Sequence, residues 1–233
     1  MRINNTKILI TVEISESLLK KTAAQGIDAD IIPFIRTEAV ETRKLRQQIE
    51  EVSTRNTSVI FTSGNAVEAV DAYLDNKKPN WKIYVVGNST ASLVKKIFGE
   101  GSVIAVADDA VALAEKIISH KNSLNEVFFF CGDKRRDELP EMLAKNNIAV
   151  REIEVYITTI LRHKIEKDYD GILFFSPSAA EGFFAYNTIN DKTVLFAIGN
   201  TTANEIKKFS GNKIITSDKP GKQDLIEKVI EYY

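Results

Sequence analysis

The chain states much of its sequence twice, and a repeat this long leaves few folds open. FTSGNAVEAV at 61–70 aligns with FFSPSAAEGF at 174–183, an offset of 113, and VVGNSTASLVKK at 85–96 aligns with AIGNTTANEIKK at 197–208, an offset of 112. A weaker match sets LLKKTAAQGIDADIIPFI at 18–35 against LPEMLAKNNIAVREIEVY at 139–156, an offset of 121. Solenoid repeats reach roughly 50 residues at most, so a period of this size means two whole small domains.

Short apolar runs rich in Val, Ile and Phe recur at 8–12, 59–62, 83–86, 103–106, 127–131, 171–175, 194–198 and 213–216. They predict buried strands, and the stretches of helical spacing between most of them predict parallel sheets. Helix starts are expected at Ser89 or Thr90, at Ser178 and at Thr201 or Thr202, with Asp108 and Asp109 capping a helix that begins near Ala110. Gly99 and Gly211 are expected to end two helices. Each unit then becomes an open, doubly wound sheet of about five strands, flavodoxin-like in order, whose ligands bind beyond the carboxyl ends of the strands. Nothing Pro/Gly/Ser-rich marks a boundary; 33–40 and 154–160 are the best joints.

The 31 Lys and Arg against 32 Asp and Glu give a net charge of -1, so no global field holds a nucleic acid or an anionic membrane. One cysteine, Cys131, excludes an internal disulfide, and two distant histidines, His120 and His163, leave little for a metal site. No apolar run reaches the roughly 18 residues that span a bilayer, and ILITV at 8–12 runs straight into Glu13 with no signal-peptide core. A cytoplasmic protein is expected.

Chemistry concentrates at the strand-to-helix turns TSGN at 62–65, GNST at 87–90, SPSA at 176–179 and GNTT at 199–202. The first N–H groups of a helix lack partners and carry partial positive charge, so each turn is either an anion socket or a helix capped by its own hydroxyl. A ligand meeting all four is large and carries several negative groups. The run CGDKRRDELP at 131–140 adds a fifth candidate, in which Gly132 allows close approach and Lys134, Arg135 and Arg136 add charge. Its plainer reading is a solvated helix start with Arg136 paired to Asp133 or Glu138. No turn matches GxGxxG, GxxxxGK[ST] or GxSxG, so neither a nucleotide site nor a hydrolase triad has motif support. Tyr156, at a joint, is protonated at neutral pH in its unperturbed state and can give up a proton.

FTSGNAVEAV, YVVGNSTASLVKKI, FFFCGDKRRDELP with the strand into VYITT, FFSPSAAEGF and AIGNTTANEIKK, in this order, resemble the uroporphyrinogen-III synthase family along nearly the whole chain. The resemblance implies two α/β domains joined by a two-stranded β linker. A discontinuous first domain covers 1–33 plus 162–233, paired linkers cover 34–40 and 154–161, and a second domain covers 41–153. It implies a lyase without cofactor or metal that acts on a linear tetrapyrrole and closes hydroxymethylbilane with inversion of the last pyrrole ring. By the same resemblance Tyr156 helps the hydroxyl leave. Thr62, Ser63, Gly64, Asn88, Thr90, Gly132, Arg136, Ser176, Ser178, Thr201 and Thr202 are the candidate substrate-binding residues, and a monomer is expected. Where many members place Arg-Pro after the first strand, this chain has Thr11-Val12-Glu13, which removes one possible carboxylate partner. The competing expectation is a non-enzymatic two-lobed protein that captures a polyanionic small molecule.

Overall fold

A computed structural model describes residues 6–120, 124–219 and 221–233. The chain is mixed α/β. Its elements are β1 (Thr6–Ile10), α1 (Glu16–Ala23), β2 (Ile27–Ile31), β3 (Ile35–Ala39), α2 (Arg43–Ser53), β4 (Ser58–Phe61), α3 (Gly64–Leu74), β5 (Lys82–Val86) and α4 (Asn88–Phe98). Next come β6 (Val103–Ala107), α5 (Ala110–Ser119), β7 (Glu126–Gly132), α6 (Glu138–Lys145), β8 (Ala149–Ile160), β9 (Gly171–Phe174) and α7 (Pro177–Phe184). The chain ends with β10 (Val194–Ala197), α8 (Asn200–Ile206), β11 (Ile214–Thr216) and α9 (Lys222–Tyr232). Two compact units result: one runs to Arg36 and resumes at Thr159, and the other is Thr37–Thr158.

The first unit's sheet has the order β11-β10-β9-β1-β2, all parallel. The second unit's sheet has the order β3-β8-β7-β4-β5-β6, parallel from β8 to β6. The repeat explains the resemblance between the two. β9, α7, β10 and α8 recur as β4, α3, β5 and α4, and β1, α1 and β2 recur as β7, α6 and β8. Both sheets therefore share one spatial order, although the chain enters them at different points. This is also why one pair of repeat blocks is offset by 112 to 113 residues and the other by 121.

Both faces of each sheet are covered, so the central strands β4, β5, β7, β9 and β10 are nearly all apolar and their residues alternate between two cores. In the second unit Val59, Phe61, Phe128 and Phe130 pack with α2, α3 and α4. Ile60, Val127, Phe129 and Cys131 pack on the other face with α5 and α6. In the first unit Leu9, Ile172, Phe174 and Leu195 meet α7 and α8. Ile8, Ile10, Leu173 and Phe196 meet Leu225, Ile226 and Val229 of α9 on the opposite face.

Several helix ends depart from expectation. Ser89 and Thr90, like Thr201 and Thr202, are not caps but lie inside the first turns of α4 and α8, whose N-caps are Gly87 and Gly199. Gly87 has φ +84°, a conformation costly for any residue with a Cβ, and its N–H donates to Ala107 O at 2.8 Å. α7 begins at Pro177, one residue ahead of Ser178, and is capped by Ser176. Proline at a first helical position loses no bond, because that N–H has no intrahelical partner. Gly211 ends no helix: α8 stops at Ile206, and Lys207 to Ser210 already bond back to its last carbonyls. Asp109 caps α5 as expected, accepting from Ala112 N at 2.8 Å, and Gly99 comes directly after the last residue of α4. Among the described residues no helix is long and apolar enough to cross a membrane.

Candidate active site

In each parallel sheet the turns that leave the carboxyl ends of neighbouring strands lie side by side. In the second unit these are Thr62-Ser63-Gly64 after β4, Gly87 to Thr90 after β5, and Gly132-Asp133 after β7, since β7, β4 and β5 are adjacent. A side-chain carbon at Gly64 would sit 3.6 Å from the Leu93 side chain, so the start of α3 packs against the middle of α4. In the first unit the corresponding turns carry Ser176 and Ser178 after β9 and Thr201 and Thr202 after β10.

The four hydroxyl turns divide into two kinds. Ser63 and Ser176, at matching repeat positions, cap their own helices, accepting from Ala66 N at 3.3 Å and Ala179 N at 3.1 Å. At both turns the serine oxygen serves as the helix cap. α4 and α8 have no side-chain cap. Thr90 and Thr202 are buried in their first turns, 6% and 2% exposed, with no hydrogen bond from either hydroxyl to another described residue. The first-turn amides and a hydroxyl are thus left for an anion at GNST, on a helix of eleven residues whose dipole favours negative charge. Asn88 and Thr201 are exposed, and Thr62 and Ser178 half-buried.

Tyr156 reaches this end of the second sheet through an irregularity in pairing. The register of β7 against β8 shifts at Cys131/Gly132, so that Cys131 faces Glu154 but Gly132 faces Tyr156. A bulge of this kind adds one residue and re-aims the side chains beyond it. Ile153 and Val155 lie in the core under α2, α3 and α4. Strict alternation would send Tyr156 to the opposite face, yet its ring packs against the same core. There Ser63 Oγ donates to Tyr156 Oη at 3.1 Å. Gly132 supplies the room: a Cβ at Gly132 would fall onto the tyrosine ring, 2.8 Å from Oη. Its missing side chain is therefore filled by Tyr156 rather than by an approaching ligand. The main chain is pinned as well, with Asp133 N donating to Tyr156 O at 3.2 Å and Thr158 N donating to Asp133 Oδ1 at 2.8 Å.

Burial is the main cause that raises the Tyr156 phenol above its ordinary range; Cys131 and Asp133 add to it, and the Ser63 hydrogen bond opposes it. The phenol is protonated at neutral pH. Burial likewise pushes the Cys131 thiol up to about 12, which leaves it an inert core residue rather than a nucleophile.

The basic run after β7 is largely committed to protein partners. Arg135 pairs with Asp137 and Glu152, and Arg136 lies 3.9 Å from Glu138 on the exposed start of α6. Thr11, in the turn that lacks Arg-Pro, is fully buried and donates to Leu173 O at 2.7 Å. Among the described residues no three His, Cys, Asp or Glu side chains gather as metal ligands.

Comparison with known proteins points one way. The family model described as uroporphyrinogen-III synthase HemD matches residues 16–227. The uroporphyrinogen-III synthase of Schizosaccharomyces pombe is 24% identical over 234 residues, covering 89% of this chain and 88% of that protein. The chain is similar in fold to a mutant uroporphyrinogen III synthase from the extremely thermophilic bacterium Thermus thermophilus, with TM-score 0.67 and 15% identity over 97% of this chain and 98% of that one. It is similar in the same way to uroporphyrinogen-III synthetase from Helicobacter pylori, with TM-score 0.63 and 16% identity over 98% and 100%.

Proposed function

This chain belongs to the uroporphyrinogen-III synthase family, and from that membership we infer that it closes hydroxymethylbilane to uroporphyrinogen III in haem biosynthesis. The reaction loses water and inverts the last pyrrole ring. The observation that carries this reading is the single family match along residues 16–227, which takes in every candidate residue named above. Loss of the hydroxyl and closure to the symmetric isomer also proceed without an enzyme, so the catalyst must control which ring carbon is attacked. Control of that kind comes from holding the reacting ends in one geometry.

We read Tyr156 as the acid that protonates the departing hydroxyl. Its raised pKa keeps the proton on the phenol until it is needed. We read Thr90 and the open start of α4 as holding substrate carboxylates, with Thr62, Gly64 and Asn88 beside them. Ser176, Ser178, Thr201 and Thr202 do the same in the first unit, and Arg136 is a further carboxylate partner. A charge-assisted hydrogen bond contributes about 1.5–3 kcal/mol, so a substrate with many carboxylates gains most from such a set. For the architecture, we read the first unit's strand order, 2-1-3-4-5 along its own chain, as flavodoxin-like, and the second unit, 3-2-1-4-5 along its chain, as the same spatial arrangement entered at another strand. Residues 34–40 and 154–161 are then paired linkers between the domains 1–33 plus 162–233 and 41–153. Hydrogen bonds support the pairing at both ends: Leu161 N donates to Phe34 O at 2.9 Å, and Val40 N donates to Val155 O at 3.0 Å.

The test is the isomer ratio. Incubated with hydroxymethylbilane and oxidised, the reaction should yield type III porphyrin in large excess over the spontaneous type I, whereas type I alone would mark the protein as a binder. Tyr156→Phe should lower kcat by at most about 10²-fold, the lower edge of what a general acid supplies, because this hydroxyl leaves readily. Complete inactivity of a folded Tyr156→Phe protein would count against control by positioning.

A further inference from the structure

We propose that Ser63 is a positioning residue for Tyr156 rather than a ligand of the substrate: it donates to the phenol oxygen and holds the phenolate that remains once the proton has gone. This rests on Tyr156 being the acid. The geometry is a relay of three groups. The Ala66 N–H at the start of α3 donates to Ser63 Oγ at 3.3 Å. Ser63 Oγ in turn donates to Tyr156 Oη at 3.1 Å. Because the serine proton points at the tyrosine oxygen, the tyrosine proton is turned toward whatever lies beyond it. Each bond in such a chain polarises the next, and the helix start supplies partial positive charge behind the serine.

Atoms and charge balance through the step. The phenol proton passes to the substrate hydroxyl, the C–O bond breaks with its electron pair going to that oxygen, and water leaves. A phenolate remains on Tyr156 and a delocalised cation on the pyrrole methylene. The substituted carbon of the last ring bonds that methylene first. The bond from this carbon to its old bridge then breaks, leaving the cation on the bridge. When the ring's free carbon bonds the bridge in turn it gives up one proton, and the phenolate takes it back. Between those two events the negative charge sits 3.1 Å from Ser63. Of the phenol's other titratable neighbours, Cys131 of β7 stays a neutral thiol, and Asp133 of the next turn disfavours that charge. Ser63 is the one neighbour acting the other way. Ser176 holds the matching position in the first unit, capping α7 through Ala179 N. The tyrosine contact is thus a use that one copy of the repeat adds to a shared cap.

The experiment tracks the Tyr156 phenol by 13C-tyrosine NMR, its resonance being the one missing from Tyr156→Phe, in Ser63→Ala, Ser63→Gly and Ser63→Thr. Glycine is nearly as good an N-cap as serine, so Ser63→Gly removes the hydroxyl while keeping the helix start. In Ser63→Ala and Ser63→Gly the Tyr156 titration should move to higher pH, with kcat down about tenfold and KM within about twofold, in line with losing one hydrogen bond to a charged group. Ser63→Thr should restore both. Asp109→Ala removes a comparable cap from α5 and should leave the Tyr156 titration in place. An unmoved titration in Ser63→Ala and Ser63→Gly overturns the proposal, as does a change confined to KM, which would make Ser63 a substrate ligand. The double variant Ser63→Ala/Tyr156→Phe separates the two readings. If Ser63 acts through Tyr156, it adds no loss to that of Tyr156→Phe. If Tyr156→Phe keeps full kcat, the acid role falls, while the shift in titration still reports whether the serine holds the phenol.

Discussion

Gly132→Ala is expected to remove most of the activity while the second unit's sheet stays folded. The added methyl would stand 2.8 Å from Tyr156 Oη and nearer still to two carbons of its ring, inside van der Waals contact. Relief by strand movement is opposed on both sides, since β7 is hydrogen-bonded to β4 and to β8. The ring must therefore turn off Ser63. Overpacking of this kind costs about 1–3 kcal/mol. Misplacing a reacting group by about 1 Å can cost on the order of 10²-fold in rate, so the kinetic loss should match or exceed that of Tyr156→Phe. Steady-state kcat for type III product measures the effect. The control is Gly132→Ala in a Tyr156→Ala background, where the methyl finds the ring's vacated space and should add no further loss of stability. A Gly132→Ala protein with unchanged kcat and unchanged Tyr156 titration would show that the ring does not need that space.

Gly132 also shows what sequence reasoning reaches and where it stops. A glycine at the end of an apolar strand is visible at once, and close approach is the natural reading. The neighbour that requires it is Tyr156, 24 residues along the chain and brought there by a bulge with no sequence signature. The contact between Ser63 and Tyr156 spans 93 residues and is equally silent. By contrast β4, β5, β7, β9 and β10 are legible because both their faces are buried, so nearly every residue is apolar. β2, IDADI at a sheet edge, alternates with aspartate and falls outside the apolar runs. α2 shows only a narrow stripe of Leu45, Ile49 and Val52 among charges, and it too escapes the pattern. The glycine caps mislead for a related reason: hydroxyl residues are the better caps on average, and at α4 and α8 tertiary packing places them inside the first turn. The repeat is legible as two units. Which part of the chain completes which sheet is decided by strand pairing, and that the periodicity does not contain.

Phe130→Ala is expected to destabilise the second unit by about 3–5 kcal/mol, the usual cost of emptying a buried aromatic site. Phe130 is fully buried at the centre of β7. Its ring stacks on Phe61 with centroids 5.4 Å apart and lies 5.5 Å from Trp81, which in turn meets Phe98 at 5.7 Å. The surrounding residues cannot collapse into the gap easily, because Trp81 is tied by its Nε1 to Val52 O at 3.0 Å and the strand is bonded on both sides. Each core cluster draws its residues from one unit only, so the cost should fall on the second unit and leave the first unit's core intact. The chain's single tryptophan makes this measurable. Trp81 fluorescence reports the second unit alone, while far-ultraviolet circular dichroism reports both. In Phe130→Ala the fluorescence transition should drop by about 10–20 °C, and the dichroism should split into an early and a late step. Coincident transitions by both probes, shifted together, would mean that the two units unfold as one body and that their cores are coupled more strongly than their separate membership suggests.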